Sequence, residues 1–358
     1  MGTDLPKGLS KLVFHDDTVQ LAFEKESFVQ PQGTPVKLYV CGITPYDTTH
    51  LGHACTYVFF DTLVRYLTYK GNNVTYVQNV TDIDDDILRE SKKRGEDWRE
   101  YGEKWTKRFL SDMKSLNVLP PTHYVKATDS ISKMIKIVKV LLEEGVAYEK
   151  QGNVYFSVKM FKNYGKLSKL TRGQMIVLAK ERGGNPDDPL KHDPLDFVLW
   201  QKSREGEPIW PFDSAQGKKG RPGWHVECSA MIHEYLGEQI DIHGGGRDLI
   251  FPHHESEIAQ SESFTGKKPY SRFFLHTAMV LCNGEKMSKS LGNLVMVAEL
   301  FKKYSPNAIR WYLLSHHYRR PFDFEEEDLA QAQKEVETIE KRLIDKDDSL
   351  LQKRFTAA

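Results

Sequence analysis

The stretch between Lys37 and Thr81 constrains the fold of this chain more than any other. It begins with the β-branched and aromatic run KLYVCGIT and passes through a turn containing Pro and Thr. The run HACTYVFFDTLVRYLTYKG then has helical spacing and ends at Gly71, and NVTYVQNVT follows as a second strand-like run. Strand, helix and strand in succession predict a βαβ unit, because two parallel strands need a crossover connection.

The rest of the chain predicts an α/β fold with a doubly wound, Rossmann-like parallel sheet. QIDIHGGG and FFLHTAMVL are apolar runs typical of buried parallel strands, and we assign them to the second half of the sheet. Between the halves, NVYFSV predicts a strand in a different setting, and KERGGNPDDPLKHDP predicts a loop. The predicted parts are 1–120, a leader and the first half of the nucleotide-binding domain; 121–205, an inserted α+β connective segment; 206–300, the second half; and 301–358, a short helical C-terminal region.

Three other regions are predicted to be helical. DIDDDILRESKKRGEDWREYGEKWTKRFLSDMKSLNV is highly charged, SISKMIKIVKVLLEEGVAYEK has an apolar face, and the chain is helical from SPNAIRWYLLSHH onward. Residues 1–35 are expected to form a leader with one short strand. We interpret Asp82, Asp84, Asp85 and Asp86 as a charge run at a helix N-terminus rather than as a metal cluster.

The composition restricts the function classes. Of 358 residues, 39% are apolar and 28% are charged, which suits a buried core and a soluble surface. The formal net charge is zero, so a nucleic-acid partner would need a local basic face. The absence of a secretory segment or a long apolar run predicts a cytoplasmic protein without a membrane partner. Four widely spaced cysteines favour metal-bound or free thiols over disulfides.

Two cysteines and the segment FPHHESE predict a metal site. His253 and Glu257 are four residues apart, so on a helix both side chains can point at one spot. With the thiolates of Cys41 and Cys228 they would complete a tetrahedral shell for one Zn²⁺ per chain. On spacing alone the alternative stays open that Cys228 is a core residue and HHESE a solvated helix face. Trp224, four residues before Cys228, would form a wall of the metal pocket.

His50, Gly52 and His53 open the predicted first helix. A helix N-terminus favours phosphate, glycine lets a ligand approach the backbone, and two imidazoles can donate hydrogen bonds to it. Taken alone, the pair of histidines is equally consistent with capping or packing.

Lys286 and Lys289 lie in the segment KMSKS, between Gly284 and Gly292. Two lysines on a flexible loop can neutralise a triphosphate and the charge on leaving pyrophosphate. The alternative is a solvated turn, but this segment and the histidine motif occur together on the two halves of one parallel pattern, which favours an ATP site. Asp248, after the glycines of HGGG, could accept a hydrogen bond from a ribose hydroxyl, although a simple loop is the alternative.

HLGH and KMSKS on such a sheet resemble the signature sequences of class I aminoacyl-tRNA synthetases. Together with Cys41, GWHVEC and FPHHESEIAQSE they resemble the cysteinyl-tRNA synthetases and their relatives, from about Lys11 to the tail. The resemblance implies activation of L-cysteine by ATP with Mg²⁺, and a zinc ion that holds the cysteine thiolate and rejects serine. It also implies four groups of residues: catalytic His50, Gly52, His53, Lys286 and Lys289; ATP-binding or adenylate-binding Thr44, Thr56, Asn79, Gly246, Asp248 and Val280; cysteine-binding Gly42, Thr81 and Trp224, with Thr44 beside them; and metal-binding Cys41, Cys228, His253 and Glu257.

Within that family, several features resemble the mycothiol-pathway cysteine ligases, which join cysteine to the amine of glucosaminyl-inositol. CGITPYDTTHLGHA matches their sequence, whereas the tRNA enzymes usually read CGPTVYD. VQNVTDIDDDIL lacks the lysine that usually follows the aspartates in the tRNA enzymes, and ERGGNP is close to the ERGGDP of the small-amine ligases, with Asn185 as a departure. The chain ends about 70 residues after KMSKS, which predicts that it lacks an anticodon-binding domain.

Two features depart from the small-amine ligases, and the first of them resembles the tRNA branch. Glu257 is retained at a position that the small-amine ligases replace, and the tail is shorter than theirs. We therefore predict a monomeric cysteine ligase that forms cysteinyl-adenylate and transfers the cysteinyl group to a small amine such as glucosaminyl-inositol. Transfer to tRNA-Cys is the alternative, and a non-catalytic nucleotide-binding or partner-binding paralogue is the third reading. Cys55 and Cys282 are expected to be buried near the site.

Overall fold

The structure of the protein is a computed structural model that describes residues 28, 30–31, 33–46, 49–213, 218–288 and 291–345. The strand expected in the N-terminal leader lies outside these residues, and so does Lys289. None of the helices in the described ranges is long and apolar enough to cross a membrane.

The described residues form thirteen strands and ten α-helices. The strands are β1 (Val36–Ile43), β2 (Val74–Val80), β3 (His123–Lys126), β4 (Ala147–Lys150), β5 (Asn153–Phe156), β6 (Phe197–Gln201), β7 (Trp210–Asp213), β8 (Lys218–Pro222), β9 (Ile240–Gly246), β10 (Ser271–Thr277), β11 (Val280–Cys282), β12 (Glu285–Lys286) and β13 (Phe322–Asp323). The helices are α1 (Leu51–Tyr69), α2 (Asp85–Arg94), α3 (Trp98–Ser115), α4 (Ile131–Glu143), α5 (Arg172–Glu181), α6 (Trp224–Tyr235), α7 (Glu255–Thr265), α8 (Val297–Leu300), α9 (Pro306–Ser315) and α10 (Glu326–Asp345).

Five strands form the central sheet in the order β10-β9-β1-β2-β3, and every neighbouring pair is parallel. The predicted βαβ unit is β1-α1-β2, so the predicted doubly wound fold is confirmed. The first strand lies in the middle of the sheet, and the chain builds outward from it in both directions. Ligands of such sheets bind at the carboxyl ends of the strands where the direction of winding changes, which is between β1 and β9 here.

The two faces of this sheet are covered by different helices. Tyr39 and Cys41 of β1 are buried in a core that also contains Met134 of α4 and Met231 of α6. Leu38 and its same-face neighbours on β1 are buried in a second core with residues of α1 and α9. Side chains of a strand alternate between faces, so β1 contributes to both cores.

A bulge near the end of β1 changes this alternation. The pairing with β2 passes from Val40 opposite Gln78 to Ile43 opposite Val80, so β1 contains one extra residue there. Ile43 is consequently buried in the same core as Val40, and not with Cys41. Cys41 and Ile43, two residues apart on one strand, therefore lie in different cores.

A separate antiparallel sheet, in the order β4-β5-β6-β8-β7, forms the inserted part of the molecule. NVYFSV contributes β5 to it, which confirms a strand in a different setting. The strands of this sheet run from Ala147 to Pro222, so they continue past the boundary predicted at residue 205. β3, at residues 123–126, still belongs to the central sheet.

Four predicted segments differ from the structure, and glycines explain two of them. The charged segment is two helices, because Gly95 is left-handed (φ +67°) and closes α2 before Asp97 caps α3. Gly145 (φ +69°) likewise ends α4, and the following AYEK is β4 rather than helix. FFLHTAMVL is two strands, because the Ala278 N–H leaves the central sheet to donate to Tyr318 O at 2.7 Å. The C-terminal region contains the short strand β13 between its helices.

Candidate nucleotide and metal site

A pocket of about 430 Å³ opens at the carboxyl edge of the central sheet, between β1 and β9. The end of β1, the first turn of α1 and the segments after β9 and β10 form its walls. Glu257 lies beneath this pocket against the side chains of Cys41 and His253. The predicted site residues that line the pocket are Cys41, Gly42, Thr44, His50, Gly52, His53, Thr56, Asn79, Thr81, Trp224, Cys228, Gly246, Asp248, His253, Val280 and Lys286.

Gly42 and Asn79 form the floor of the pocket next to Cys41. The Gly42 N–H donates to Asn79 Oδ1 at 2.7 Å, and the Tyr39 hydroxyl donates to the same oxygen at 3.0 Å. Asn79 Nδ2 donates to Thr81 Oγ1 at 3.1 Å. A Cβ at position 42 would lie 1.6 Å from the backbone oxygen of Asn79, so only glycine fits. The close approach of the two strands thus fixes both the asparagine and the end of β1.

Cys41, Cys228, His253 and Glu257 converge as a buried group. Their ligand atoms all lie within 4.8 Å of one another. His253 Nε2 is 3.4 Å from Cys228 Sγ and 3.0 Å from Glu257 Oε1, and Cys41 Sγ is 3.8 Å from that oxygen. Tetrahedral zinc with bonds of about 2.0–2.3 Å brings its ligand atoms to roughly 3–4 Å from one another. Two sulfurs, one nitrogen and one carboxylate oxygen at this spacing fit a zinc ion.

A kink ahead of α7 directs His253 into this group. Phe251 has extended dihedral angles, φ −136° and ψ 135°, between two helical turns. The ring of Trp224 stacks on His253 with centroids 4.3 Å apart. His225 Nδ1 lies 3.0 Å from His253 Nδ1, which leaves the Nε2 atom facing the sulfur and the carboxylate.

Sequence reasoning missed the residues that surround Glu257. Its Oε2 atom accepts a hydrogen bond from the Tyr270 hydroxyl at 3.2 Å and lies 2.8 Å from His243 Nε2. His254 Nε2 is 3.3 Å from Cys41 Sγ, so Cys41, His243, His254 and Glu257 form a second buried set of ligand atoms. Only the adjacent histidines of FPHHESE hinted at this, because the partners come from distant strands.

The buried group is charged even without an ion. Burial disfavours the Cys228 thiolate, but its hydrogen bond with Cys41 and the charge of His253 lower the pKa of Cys228 to about 6. Burial also disfavours the His253 imidazolium, but Glu257 and Cys228 raise its pKa to about 10. The pKa of Cys41 is raised by burial and by Cys228. Against its own burial, the neighbouring histidines hold the pKa of Glu257 well below its usual range. One thiolate is therefore available to a metal at neutral pH.

His50 and His53 meet at the first turn of α1. His50 is the N-cap, and its Nδ1 atom accepts from the His53 N–H at 3.3 Å. The two rings stack with centroids 3.6 Å apart. Burial lowers the pKa of His50 to about 4 and that of His53 well below its ordinary value. Both rings are therefore neutral hydrogen-bonding groups at the positive end of a helix.

Lys286 lies opposite these histidines and pairs with Asp248 at 3.1 Å. The side chain of Asn293 accepts from the Ser288 N–H at 2.8 Å and donates to the Lys286 carbonyl at 3.3 Å, which closes the described part of the loop on itself. The lysine predicted for phosphate and the carboxylate predicted for ribose thus neutralise each other in this structure.

Tyr46 and Tyr57 also line the pocket, although the sequence did not single them out. The Tyr57 hydroxyl donates to Cys41 O at 3.1 Å, and the Tyr46 hydroxyl donates to an aspartate of α2 at 2.7 Å. Cys55 is buried in α1 as expected. Cys282 is not; it is partly exposed on β11, because that strand belongs to a small surface sheet rather than to the central one.

Comparison with known proteins assigns the family. Residues 27–334 match the family described as tRNA synthetases class I (C) catalytic domain. The chain belongs to this family. Among similar curated proteins, the cysteine--tRNA ligase of Thermococcus onnurineus is 49% identical over 319 residues, which is 89% of this chain and 65% of that protein. The cysteine--tRNA ligase of Dehalococcoides mccartyi is 47% identical over 332 residues, 93% of this chain and 71% of that protein.

Solved structures support the same fold for this class I synthetase domain. Methionyl-tRNA synthetase of Mycobacterium tuberculosis, in complex with methionyl-adenylate, superposes with a TM-score of 0.64. The alignment covers 83% of this chain and 67% of that chain at 15% identity, so the likeness concerns the fold. The synthetase domain described here spans less than two thirds of the length of the Thermococcus relative.

Proposed function

We propose that this protein activates L-cysteine with ATP and transfers the cysteinyl group to tRNA. The observation that carries the proposal is that three members of the buried metal-binding group, Cys41, Cys228 and His253, line the same pocket as the paired histidines at the start of α1. The curated relatives reported above are named cysteine--tRNA ligase, which favours tRNA over the small amine that the sequence predicted first.

The metal-binding group would select the substrate side chain. When bound, a zinc ion would supply a Lewis-acidic position for the thiolate of cysteine where the carboxylate of Glu257, the weakest of the four ligands, gives way to it. Gly42, Thr81 and Trp224 line the same pocket, and they are proposed to contact the side chain of cysteine. A serine hydroxyl stays protonated at neutral pH and is a poorer zinc ligand than a thiolate, so the same residues would discriminate against serine.

Activation would occur where the cysteine pocket meets the paired histidines. The carboxylate of cysteine attacks the α-phosphorus of ATP, the new carboxyl–phosphate bond forms, and pyrophosphate leaves with the electrons of the broken bond. His50, His53 and Lys286 would donate hydrogen bonds to the phosphate oxygens as charge shifts to pyrophosphate, and Lys289 is proposed to assist from the same loop. The carboxylate of Asp248 would release its ion pair with Lys286 and accept a hydrogen bond from a ribose hydroxyl instead. Further contacts to ATP are proposed for Thr44, Thr56, Asn79, Gly246 and Val280.

A second cavity would admit the acceptor. It measures about 1090 Å³, lies between α2 and the inserted sheet, and shares Thr44, Tyr46 and Trp224 with the first pocket. Its walls carry both carboxylates and cations, so it suits a polar acceptor. The ERGGNP segment contributes Gly184 and Asn185 to these walls. This placement favours a second candidate, ligation to an aminosugar, because the segment that resembles the small-amine ligases faces the acceptor cavity.

The deciding experiment supplies the zinc-loaded protein with labelled cysteine and ATP. We expect cysteine-dependent exchange of pyrophosphate into ATP, and transfer of label to tRNA-Cys. Label on glucosaminyl-inositol, with none on tRNA, would establish the second candidate instead. Exchange that is equally fast with serine would contradict the role of the metal-binding group.

Matched cysteine variants test the site itself. Cys228→Ser removes a sulfur from the metal-binding group, whereas Cys55→Ser changes a buried cysteine of α1 that is not part of it. We expect the first variant to lose zinc and cysteine-dependent exchange, and the second to keep both. Equal activity of the two variants would refute the assignment.

A further inference from the structure

We infer that Arg182 is a positioning residue that fixes the positions of two side chains relative to each other. These are Asp248, the carboxylate proposed to bind the nucleotide, and His253, the proposed metal ligand. Arg182 follows the last residue of α5, in the inserted part of the chain, and its segment lines the acceptor cavity. The inference rests on the proposed function for the roles of Asp248 and His253. It adds that a side chain of the insertion controls both.

The contacts are made by a single nitrogen. Arg182 Nη1 donates to the carbonyl oxygen of Asp248 at 2.5 Å and to the carbonyl oxygen of Phe251. This nitrogen carries two hydrogens, so it can serve two acceptors at once. Hydrogen bonds from a charged donor are stronger than those between neutral groups, which makes the guanidinium an effective clamp.

The two carbonyls belong to a segment in which a kink interrupts the helical hydrogen bonding. The chain leaves β9 into the short turn Arg247–Leu249 and then kinks at Phe251, where the dihedral angles are extended. A buried carbonyl at a kink needs a donor from elsewhere, and Arg182 supplies it. Asp248 provides one of the two carbonyls, and His253 comes two residues after Phe251, which provides the other. A side chain that fixes both carbonyls therefore also restricts the positions of the Asp248 and His253 side chains.

Two further contacts join the insertion to the same segment closer to its C-terminal end, at the start of α7. The carboxylate of Glu255 accepts from the backbone N–H groups of Ser168 at 2.9 Å and Leu167 at 3.5 Å. The hydroxyls of Tyr164 and Ser256 lie 3.1 Å apart. These contacts hold the start of α7, whereas Arg182 reaches the side of the segment that carries the nucleotide carboxylate.

The test compares Arg182→Gln and Arg182→Lys with Lys180→Gln. Lys180 lies two residues earlier, in the last turn of α5, but it is exposed and pairs with Asp187 at 2.9 Å, so its replacement is the matched control. Two quantities are measured: the dissociation constant for ATP by calorimetry, and the dissociation constant for zinc by competition with a chromogenic chelator. Neither measurement requires turnover or an acceptor.

We expect Arg182→Gln to weaken both ATP and zinc binding by about tenfold, the factor that corresponds to loss of one charge-assisted hydrogen bond. Arg182→Lys keeps the charge and should recover part of both affinities, whereas Lys180→Gln should stay within about twofold of the unchanged protein. Unaltered affinities in both Arg182 variants would overturn the inference.

A double variant separates positioning from a general loss of stability. In an Asp248→Ala background, Arg182→Gln should still weaken zinc binding but should not weaken ATP binding any further, because the carboxylate through which it acts is gone. Additive losses of ATP affinity would overturn the inference. If the unchanged protein binds zinc but no ATP, the proposed function fails. The part of the inference that concerns Asp248 then fails as well. The part that concerns His253 is still tested by the zinc measurements.

Discussion

At the scale of single residues, Glu257 divides its two oxygens between two tasks. Oε1 faces His253 and Cys41, whereas Oε2 is held by the Tyr270 hydroxyl and by His243. Because the side chain is already fixed in this way, it can present one oxygen to a metal without a further loss of side-chain entropy. Outer partners of this kind commonly change metal affinity by 10–100-fold.

Tyr270→Phe tests this division, because it removes one hydroxyl and keeps the buried ring. We expect zinc affinity to fall by about tenfold, as measured by chelator competition. Tyr235→Phe is the control, because Tyr235 is 37% exposed on α6. Equal zinc affinity in the two variants would mean that the hydroxyl does not orient the carboxylate.

His50 predicts a pH dependence of stability. Its pKa in the folded protein is about 4, below the ordinary value of 6.5, because burial disfavours the charged ring. Between these values the unfolded chain binds the proton and the folded chain does not, so the free energy of unfolding decreases as the pH falls from 6.5 towards 4. His50→Asn keeps an acceptor at the N-cap and removes the titration.

Denaturant unfolding at pH 7 and pH 4.5 measures this effect. The decrease in the free energy of unfolding between the two should be smaller in His50→Asn by about 2 kcal/mol. His317→Asn, at an exposed position, should leave the decrease unchanged. The assignment is refuted if His50→Asn shows the same pH dependence as the unchanged protein.

Most of the residues that line the pocket could be named from the sequence, because they lie in short motifs at strand ends and at one helix start. His243 and Tyr270 could not. They come from β9 and from the residue before β10, and they reach Glu257 only through tertiary packing. No spacing within the chain indicates such a contact, although the histidine pair at 253 and 254 was a partial signal.

At the scale of elements, the close approach of β1 and β2 sets the geometry of the pocket. The bulge in β1 and the missing side chain at Gly42 let the Gly42 N–H bond to Asn79. A side chain there would meet the backbone of β2, which cannot move aside without breaking the parallel pairing.

Gly42→Ala should therefore separate the carboxyl ends of the two strands. We expect a loss of about 3 kcal/mol in the free energy of unfolding, the upper range for overpacking, together with loss of zinc. Gly173→Ala in the first turn of α5, where no other atom lies within 4 Å of the added carbon, should be neutral or slightly stabilising. Similar stability of the two variants would contradict this account of the strand ends.

The elements themselves were largely predictable, because their apolar periodicity reflects which face is buried. β1, α1 and β2 agree with the sequence pattern within a few residues. The breaks at Gly95 and Gly145 were missed, because an isolated glycine is also tolerated inside a helix and its left-handed conformation is fixed only by the fold.

At the scale of the whole molecule, one buried carboxylate joins α9, near the C-terminus, to α1 and to the segment that follows α3. Asp61 of α1 is fully buried and pairs with Arg65 on the same helix and with Arg310 of α9. It also accepts from the Leu119 N–H at 2.8 Å, and Arg310 donates to Leu116 O at 3.2 Å. Three segments that are distant in sequence, α1, the stretch after α3 and α9, are therefore joined through the charge of Asp61.

Arg310→Met should loosen this junction, because it leaves part of the buried charge without compensation. We expect a loss of about 3 kcal/mol in the free energy of unfolding. Amide hydrogen exchange should become faster in α9 before it does in β1 and β2. Arg320→Met changes an exposed arginine and serves as the control. Unchanged exchange in α9 would show that the ion pair does not hold the helix.

The bulge in β1 has a consequence for how such a protein can change over evolution. Cys41 faces the core formed with α4 and α6, whereas Ile43 faces the core formed with α1 and α9. Under the proposed function, substitutions beneath one face would therefore alter which amino acid is accepted, while the histidines at the start of α1 keep their place. A chain built in this way could exchange its proposed substrate by substitutions on one side of a single strand and keep the histidine pair unchanged on the other.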